Sequence, residues 1–198
     1  MNFLVCNTLG HFCFQNLVCL CKMYSFSTGV RAIQMDQLWD RYRRNTKGWR
    51  HDGLAKLHTK IVFGPGMALT PETVKRYNIS HVVNCGFDAD SPQWFRNENP
   101  DNYAAIYAVD SEESDITGWY PVFQAYMNKF LSDKKCTGIY VHCQAGINRS
   151  AFLCLLYMCM KFKYSMDVCI RAILLQRPCA LQNPKFREQV MEYTKKHQ

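Results

Sequence analysis

Residues 137–162, TGIYVHCQAGINRSAFLCLLYMCMKF, constrain the fold of this chain more than any other stretch. Ile139 to Val141 lie in a continuous apolar run of strand length, the pattern of a strand covered on both faces. Ser150 to Lys163 form a second apolar run, long enough for about four helical turns. Only a short loop separates the two, with Gly146 easing a tight turn. A buried strand feeding directly into an apolar helix belongs in an α/β layer structure: a mainly parallel central sheet flanked by helices.

The rest of the chain agrees with that class. KLHTKIVFG reads as one strand, and ISHVVNC and YAAIYAV read as two buried ones. TPETVKRYN places Thr70 as an N-cap and Pro71 at the first position of a short helix. In ITGWYPVFQAYMNKFL, Ile116, Trp119, Tyr120, Phe123, Tyr126, Met127 and Phe130 recur at helical spacing; Pro121 is tolerated there only in the first turn. Further helices are expected at 150–163, 165–176 and 184–197. MDQLWDRYRRN puts Met35, Leu38, Trp39 and Tyr42 on one side of another. The expected division is an N-terminal extension at 1–34, a helix at 35–50 and one domain at 51–198, a length that holds a full core. In such a sheet, ligands bind beyond the carboxyl ends of the strands. Cys143 stands at one of those ends.

Residues 1–22 lean apolar but are broken by Asn7, Thr8, Gly10, His11, Gln15 and Asn16, so they match neither a membrane span nor a signal peptide well. A weak anchor, an unstructured extension, and upstream sequence ahead of a start at Met23 or Met35 all stay open. No firm membrane association follows. The chain has 11 cysteines but no paired CxxC spacing and no compact disulfide framework, which favours a reducing, cytoplasmic compartment. Cys19 and Cys21 are too close together, and lack a second pair, for a zinc site. A net charge of +8 suits acidic partners such as phosphorylated proteins, nucleic acid or anionic membrane, or serves solubility alone. The 35–45 helix offers a surface to a second subunit, as in a homodimer, or to its own domain.

A strand-to-helix loop is an anion site in waiting, because its backbone N–H groups and the helix N-terminus converge. Gln144, Ala145, Gly146, Ile147, Asn148 and Arg149 are placed to wrap a phosphate. Arg149 supplies a planar fork for two of its oxygens. The same field favours negative charge on the Cys143 sulfur, which makes it a candidate nucleophile. Ser150 can hydrogen-bond that sulfur. His142 neighbours Cys143 on the strand, points to the opposite face, and is better suited to bracing the loop than to removing the thiol proton.

HCQAGINRS resembles the His-Cys-x5-Arg-Ser/Thr signature of cysteine-dependent protein phosphatases. Its wording is similar to the dual-specificity branch, including MAP-kinase phosphatases and poxviral enzymes. VDSEESDI, GINRS and NPKFREQVMEY resemble the poxviral form most, which hints at a large DNA virus as source. The resemblance covers about residues 54–196. It implies a general acid some thirty residues before the cysteine, and Asp110 lies 33 residues ahead of Cys143. Glu112 and Glu113 read instead as a solvated rim, and Asp115 as a helix cap. The implied reaction passes through a phosphocysteine and needs no metal or cofactor. Some relatives carry a second cysteine that pairs with the nucleophile; Cys85 is the counterpart here, with a buried strand-end thiol as the plainer reading. Asn148 stands where many MAP-kinase phosphatases have Ser, and could brace the loop through its amide.

The region 54–196 has little room for the phosphotyrosine-clamping loop of the strictly tyrosine-specific enzymes. Phosphotyrosine and phosphoserine/threonine in proteins are therefore the expected substrates. QAGIN lacks the Lys that phosphoinositide phosphatases of the family often carry. RNA 5′-triphosphatases of the same fold share GIN but typically differ at Gln144, Ala145 and Ser150. A phosphate-reading scaffold would normally have lost the Cys, Arg or acid.

Overall fold

The computed structural model describes Gln37, Trp39 and residues 52–197. The expected extension at 1–34 lies outside the described residues. So does the expected 35–50 helix, apart from Gln37 and Trp39, which are both helical.

Five strands form one sheet: β1 (Ala55–His58), β2 (Ile61–Pro65), β3 (His81–Asn84), β4 (Tyr103–Ala105) and β5 (Ile139–Cys143). Their spatial order is β1-β2-β5-β3-β4, antiparallel between β1 and β2 and parallel elsewhere. The sheet is thus mainly parallel, as expected. The single strand expected in KLHTKIVFG is instead a hairpin, folded back at Thr59 and Lys60. That turn lacks the Gly or Asn that usually announces one. YAAIYAV enters the sheet only at Tyr103–Ala105. Beyond it, Ile106 and Ala108 donate N–H bonds to the carbonyls of Asn84 and Cys85 in an irregular continuation.

Alternation along the strands builds two cores. Ile61, Phe63, Val83, Ile139, Val141 and Cys143 face one side, while Val62, Val82 and Tyr140 face the other. The second face is covered through Leu69, Ile79 and Phe95 by a thinner layer. That layer holds α1 (Pro71–Tyr77) and the short α2 (Gln93–Glu98), an element the sequence patterns did not reveal. Thr70 caps α1 by accepting the Thr73 N–H, and Asn78 ends it in the left-handed conformation. The first face carries α3 (Tyr120–Ser132), α4 (Arg149–Phe162), α5 (Met166–Gln176) and α6 (Pro184–His197). Pro121 lies in the first turn of α3; a 3-10 turn at Ile116–Trp119, capped by Asp115, precedes it. Every residue of α4 from Arg149 to Cys159 is buried, which makes it the central helix of the domain.

Trp39 packs on this same domain. It is 2% exposed, its ring centroid lies 6.2 Å from that of Phe152, and the Arg187 guanidinium sits 4.9 Å over it. The parallel register aligns Pro65 and Asn84 with Cys143 and His142, so the loops after β2, β3 and β5 leave the sheet at one edge.

Candidate active site

The loop between β5 and α4 is shaped by what its carbonyls do. That of Gln144 accepts the Gly66 N–H, and that of Ile147 the Leu181 N–H. Arg177 takes the other two: its Nη2 donates to Ala145 O and its Nε to Gly146 O, both at 2.8 Å. Asn148 O receives Phe152 N–H in the first turn of α4. With each carbonyl turned outward, the N–H groups of Gln144 to Arg149 donate to no protein acceptor among the described residues. They are left to serve an anion on the concave side. Gly146 adopts φ +61°, and a Cβ there would lie 2.3 Å from the Gly64 carbonyl carbon; only glycine fits.

Cys143 ends β5 at the floor of this cradle, 2% exposed, and the Ser150 hydroxyl donates to its Sγ at 3.3 Å. Arg149 opens α4. Its Nη1 donates to Ala108 O at 3.2 Å and lies 3.8 Å from Asp90 Oδ2. Its Nε is buried without a partner among the described residues. A buried, unsatisfied guanidinium N–H is expensive, and a phosphate oxygen would satisfy it.

Asp110 is exposed at the rim, and two amides hold it. Asn148 Nδ2 donates to both its carboxylate oxygens, at 3.0 and 3.3 Å, and Asn183 Nδ2 donates to Oδ1 at 3.1 Å. Asn148 Oδ1 in turn accepts the Gln182 and Asn183 N–H groups. Asn148 therefore braces the loop through its amide and also tethers the carboxylate. Glu112 and Glu113 are exposed.

His142 points to the other face of the sheet. Its Nε2 pairs with Ser91 Oγ at 3.1 Å, and complete burial lowers its pKa to about 4. It is a neutral strut. The unfolded chain takes up this proton near pH 6.5 and the native one only near 4, so the stability it contributes is complete above 6.5 and is lost as pH falls through that window. A loss of about 3 kcal/mol is expected by pH 4. Urea midpoints measured at pH 7 and 4.5 should show it, and His142→Asn should flatten the difference.

Cys85 follows β3, fully buried, close enough to Cys143 and Cys154 to feel both thiols. Burial pushes its pKa well up, so it sits as a thiol.

Three participants went unnoticed in the sequence: Asp90, Asn183 and Arg177. Arg177 left one signal, a lone charge inside the apolar run ILLQRPCAL. It is fully buried and, besides the two loop carbonyls, its Nη1 donates to Asp52 O and Gly53 O at 3.0 Å. Arg177→Met leaves these four carbonyls without that donor. A destabilisation of about 3–5 kcal/mol is expected. Arg177→Lys should recover little of it, because a point charge cannot span four acceptors. Urea denaturation of both variants checks this.

Comparison with known proteins agrees with this geometry. A family profile described as "Dual specificity phosphatase, catalytic domain" matches residues 62–196. Dual specificity protein phosphatase 4 of Gallus gallus is 32% identical over 106 residues, covering 53% of this chain and 27% of that protein. Dual specificity protein phosphatase 1-B of Xenopus laevis is 32% identical over 123 residues, covering 62% and 31%. The match therefore spans less than a third of either relative. Among solved structures, human DUSP28 shares the fold with a TM-score of 0.61 at 21% identity, over 72% of this chain and 93% of that one. PTPMT1 in complex with PI(5)P gives 0.59 at 18% identity, over 73% and 96%. With more than half of its length matched by the family profile, the chain belongs to the dual specificity phosphatase catalytic-domain family.

Proposed function

We propose that this protein hydrolyses phosphotyrosine and phosphoserine/threonine in proteins through a phosphocysteine intermediate. One observation carries the reading: in the loop that joins Cys143 to Arg149 the N–H groups find no protein acceptor among the described residues, Arg149 Nε is buried and unsatisfied, and the Cys143 thiol is hydrogen-bonded by Ser150. In the first step Cys143 Sγ attacks phosphorus in line. The loop amides and Arg149 hold the equatorial oxygens, and Asp110 protonates the departing oxygen. In the second step Asp110 takes a proton from water as that water attacks the phosphocysteine. Ser150 stabilises the sulfur as it leaves. The loop and Arg149 provide the positive field, so the scheme calls on no metal or cofactor.

The partners of this reading are phosphorylated proteins. A viral source rests on the wording of the motifs alone, and a cytoplasmic setting on cysteine usage; among the described residues no helix is long and apolar enough to cross a membrane. Residues 51–198 are taken as the catalytic unit. Cys85, beside Cys143, is the thiol that would form a reversible disulfide under peroxide, read out by mass spectrometry.

The test is a substrate panel of phosphotyrosine and phosphothreonine peptides, a 5′-triphosphorylated RNA and a phosphoinositide. Hydrolysis of both peptide classes is the expected result. Preference for the RNA or the lipid would replace the substrate assignment.

A further inference from the structure

Of the six large apolar side chains exposed among the described residues, Val122 and Leu175 lie on helices and the other four lie together at one edge of the sheet. Met67, Phe87, Tyr107 and Val109 are 63%, 48%, 49% and 42% exposed, and all four lie just past the carboxyl ends of β2, β3 and β4. This is the edge on which Cys143 sits. Two of the four form a pair, with the Phe87 and Tyr107 ring centroids 6.3 Å apart. The pair is tied into the site through its chain neighbours. Gly86, before Phe87, approaches Arg149 so closely that a Cβ on it would lie 3.0 Å from Nη1. Ala108, between Tyr107 and Val109, gives its carbonyl to the same Nη1. Asp110 comes next in the chain.

Tyr107 is also held at φ +59°, a conformation that a bulky side chain rarely adopts. Its hydroxyl donates to Asp88 Oδ2 at 3.0 Å, its N–H donates to Gly86 O, and Asp88 is fixed in turn by Arg96 at 3.4 Å. Phe87 is held through its backbone, its carbonyl accepting Asn84 Nδ2 and its N–H donating to Asp90 Oδ2. Strain retained at an exposed aromatic beside a reaction site points to use. Rigid aromatics offer contact area at little entropic cost.

We infer that Phe87, Tyr107 and Val109 form a preformed apolar shelf that receives an aromatic or branched aliphatic side chain of the substrate polypeptide, close in sequence to the phosphorylated residue. An extended peptide advances about 3.3–3.6 Å per residue, so a group anchored by its phosphate on Arg149 brings its near neighbours over the shelf. This rests on the phosphoprotein reading of the site.

The experiment compares kcat/KM for phosphopeptides carrying Phe or Ile, against Gly or Ser, at each of the three positions on either side of the phosphoresidue. A small aryl phosphate serves as internal reference. Wild type should prefer Phe or Ile at one or more positions by roughly tenfold, the low end for apolar contacts at enzyme sites. Phe87→Ala and Tyr107→Gly should lose the preference, and Tyr107→Phe should keep most of it. Tyr107→Gly relieves the backbone strain, so its thermal midpoint should not fall, which separates loss of the shelf from loss of the fold.

Equal hydrolysis of all phosphopeptides by wild type would overturn the shelf and leave the phosphatase reading standing. Inertness of wild type toward every phosphopeptide, with the aryl phosphate still turned over, would overturn both. Variants that lose peptide and aryl phosphate in equal measure would reduce the pair to a structural part. A change in sedimentation with unchanged peptide preference would assign the surface to self-association instead.

Discussion

Cys143→Ser is expected to lower turnover of every phosphomonoester by on the order of ten-thousand-fold or more, while binding of inorganic phosphate survives. Serine nearly matches cysteine in shape, so a 2% exposed side chain is replaced without a large cavity. The cradle does not depend on the sulfur. Its carbonyls are held by Gly66, Leu181, Arg177 and the first turn of α4, and Arg149 keeps its anchor on Ala108. What disappears is the proposed nucleophile, a polarisable sulfur; a hydroxyl in its place has no base within the loop to activate it. Steady-state turnover of a phosphotyrosine peptide, with calorimetric titration of inorganic phosphate, separates the two properties. Activity retained in the serine variant would sink the mechanism.

Asp110→Ala is expected to produce a smaller and more selective loss. Protonation of the departing oxygen contributes roughly a hundred- to ten-thousand-fold in comparable steps, and the need for it grows with the basicity of that oxygen. Loss on phosphoserine and phosphothreonine peptides, which release alkoxides, should therefore exceed loss on nitrophenyl phosphate. Asn148→Ala should reproduce part of this pattern, on the order of tenfold, because it frees the carboxylate from two of the three amide hydrogen bonds that hold it and loosens the Gln182–Asn183 backbone. A general loss of stability would instead depress all substrates alike. The leaving-group dependence of kcat, measured across a set of aryl phosphates, decides between the two.

What could be read in the sequence was local. The loop, Cys143 and Arg149 lie within a few residues on a strand–loop–helix whose pattern is hard to mistake, whereas Asp110 was singled out only through the family resemblance. The reach of Asn148 to Asp110 spans 38 residues, and that of Arg177 to Gly146 spans 31. Such contacts are set by tertiary packing, and no periodicity records them. The hairpin at Thr59–Lys60 escaped for a different reason, since its turn chemistry is unmarked. α2 is a single short stretch in which only Phe95 is buried, too little to make an apolar face. The edge strand β4 contributes three residues, so the long apolar run containing it overstated the strand.

The outward anchoring of the phosphate loop bears on how the protein comes into being. Synthesis runs from the N-terminus, and the loop emerges with Cys143 well before Arg177 and Leu181, the residues that turn three of its carbonyls outward. At about 5–20 residues per second the interval lasts seconds. During it, the β5–α4 segment can collapse onto the sheet, but the amides that receive an anion are not yet aimed. A nascent chain stalled before residue 177 should be chemically silent, and competence should arrive abruptly with the segment 177–197, which brings the carbonyl anchors and the buried Phe186, Val190 and Thr194 of α6, rather than grow with chain length.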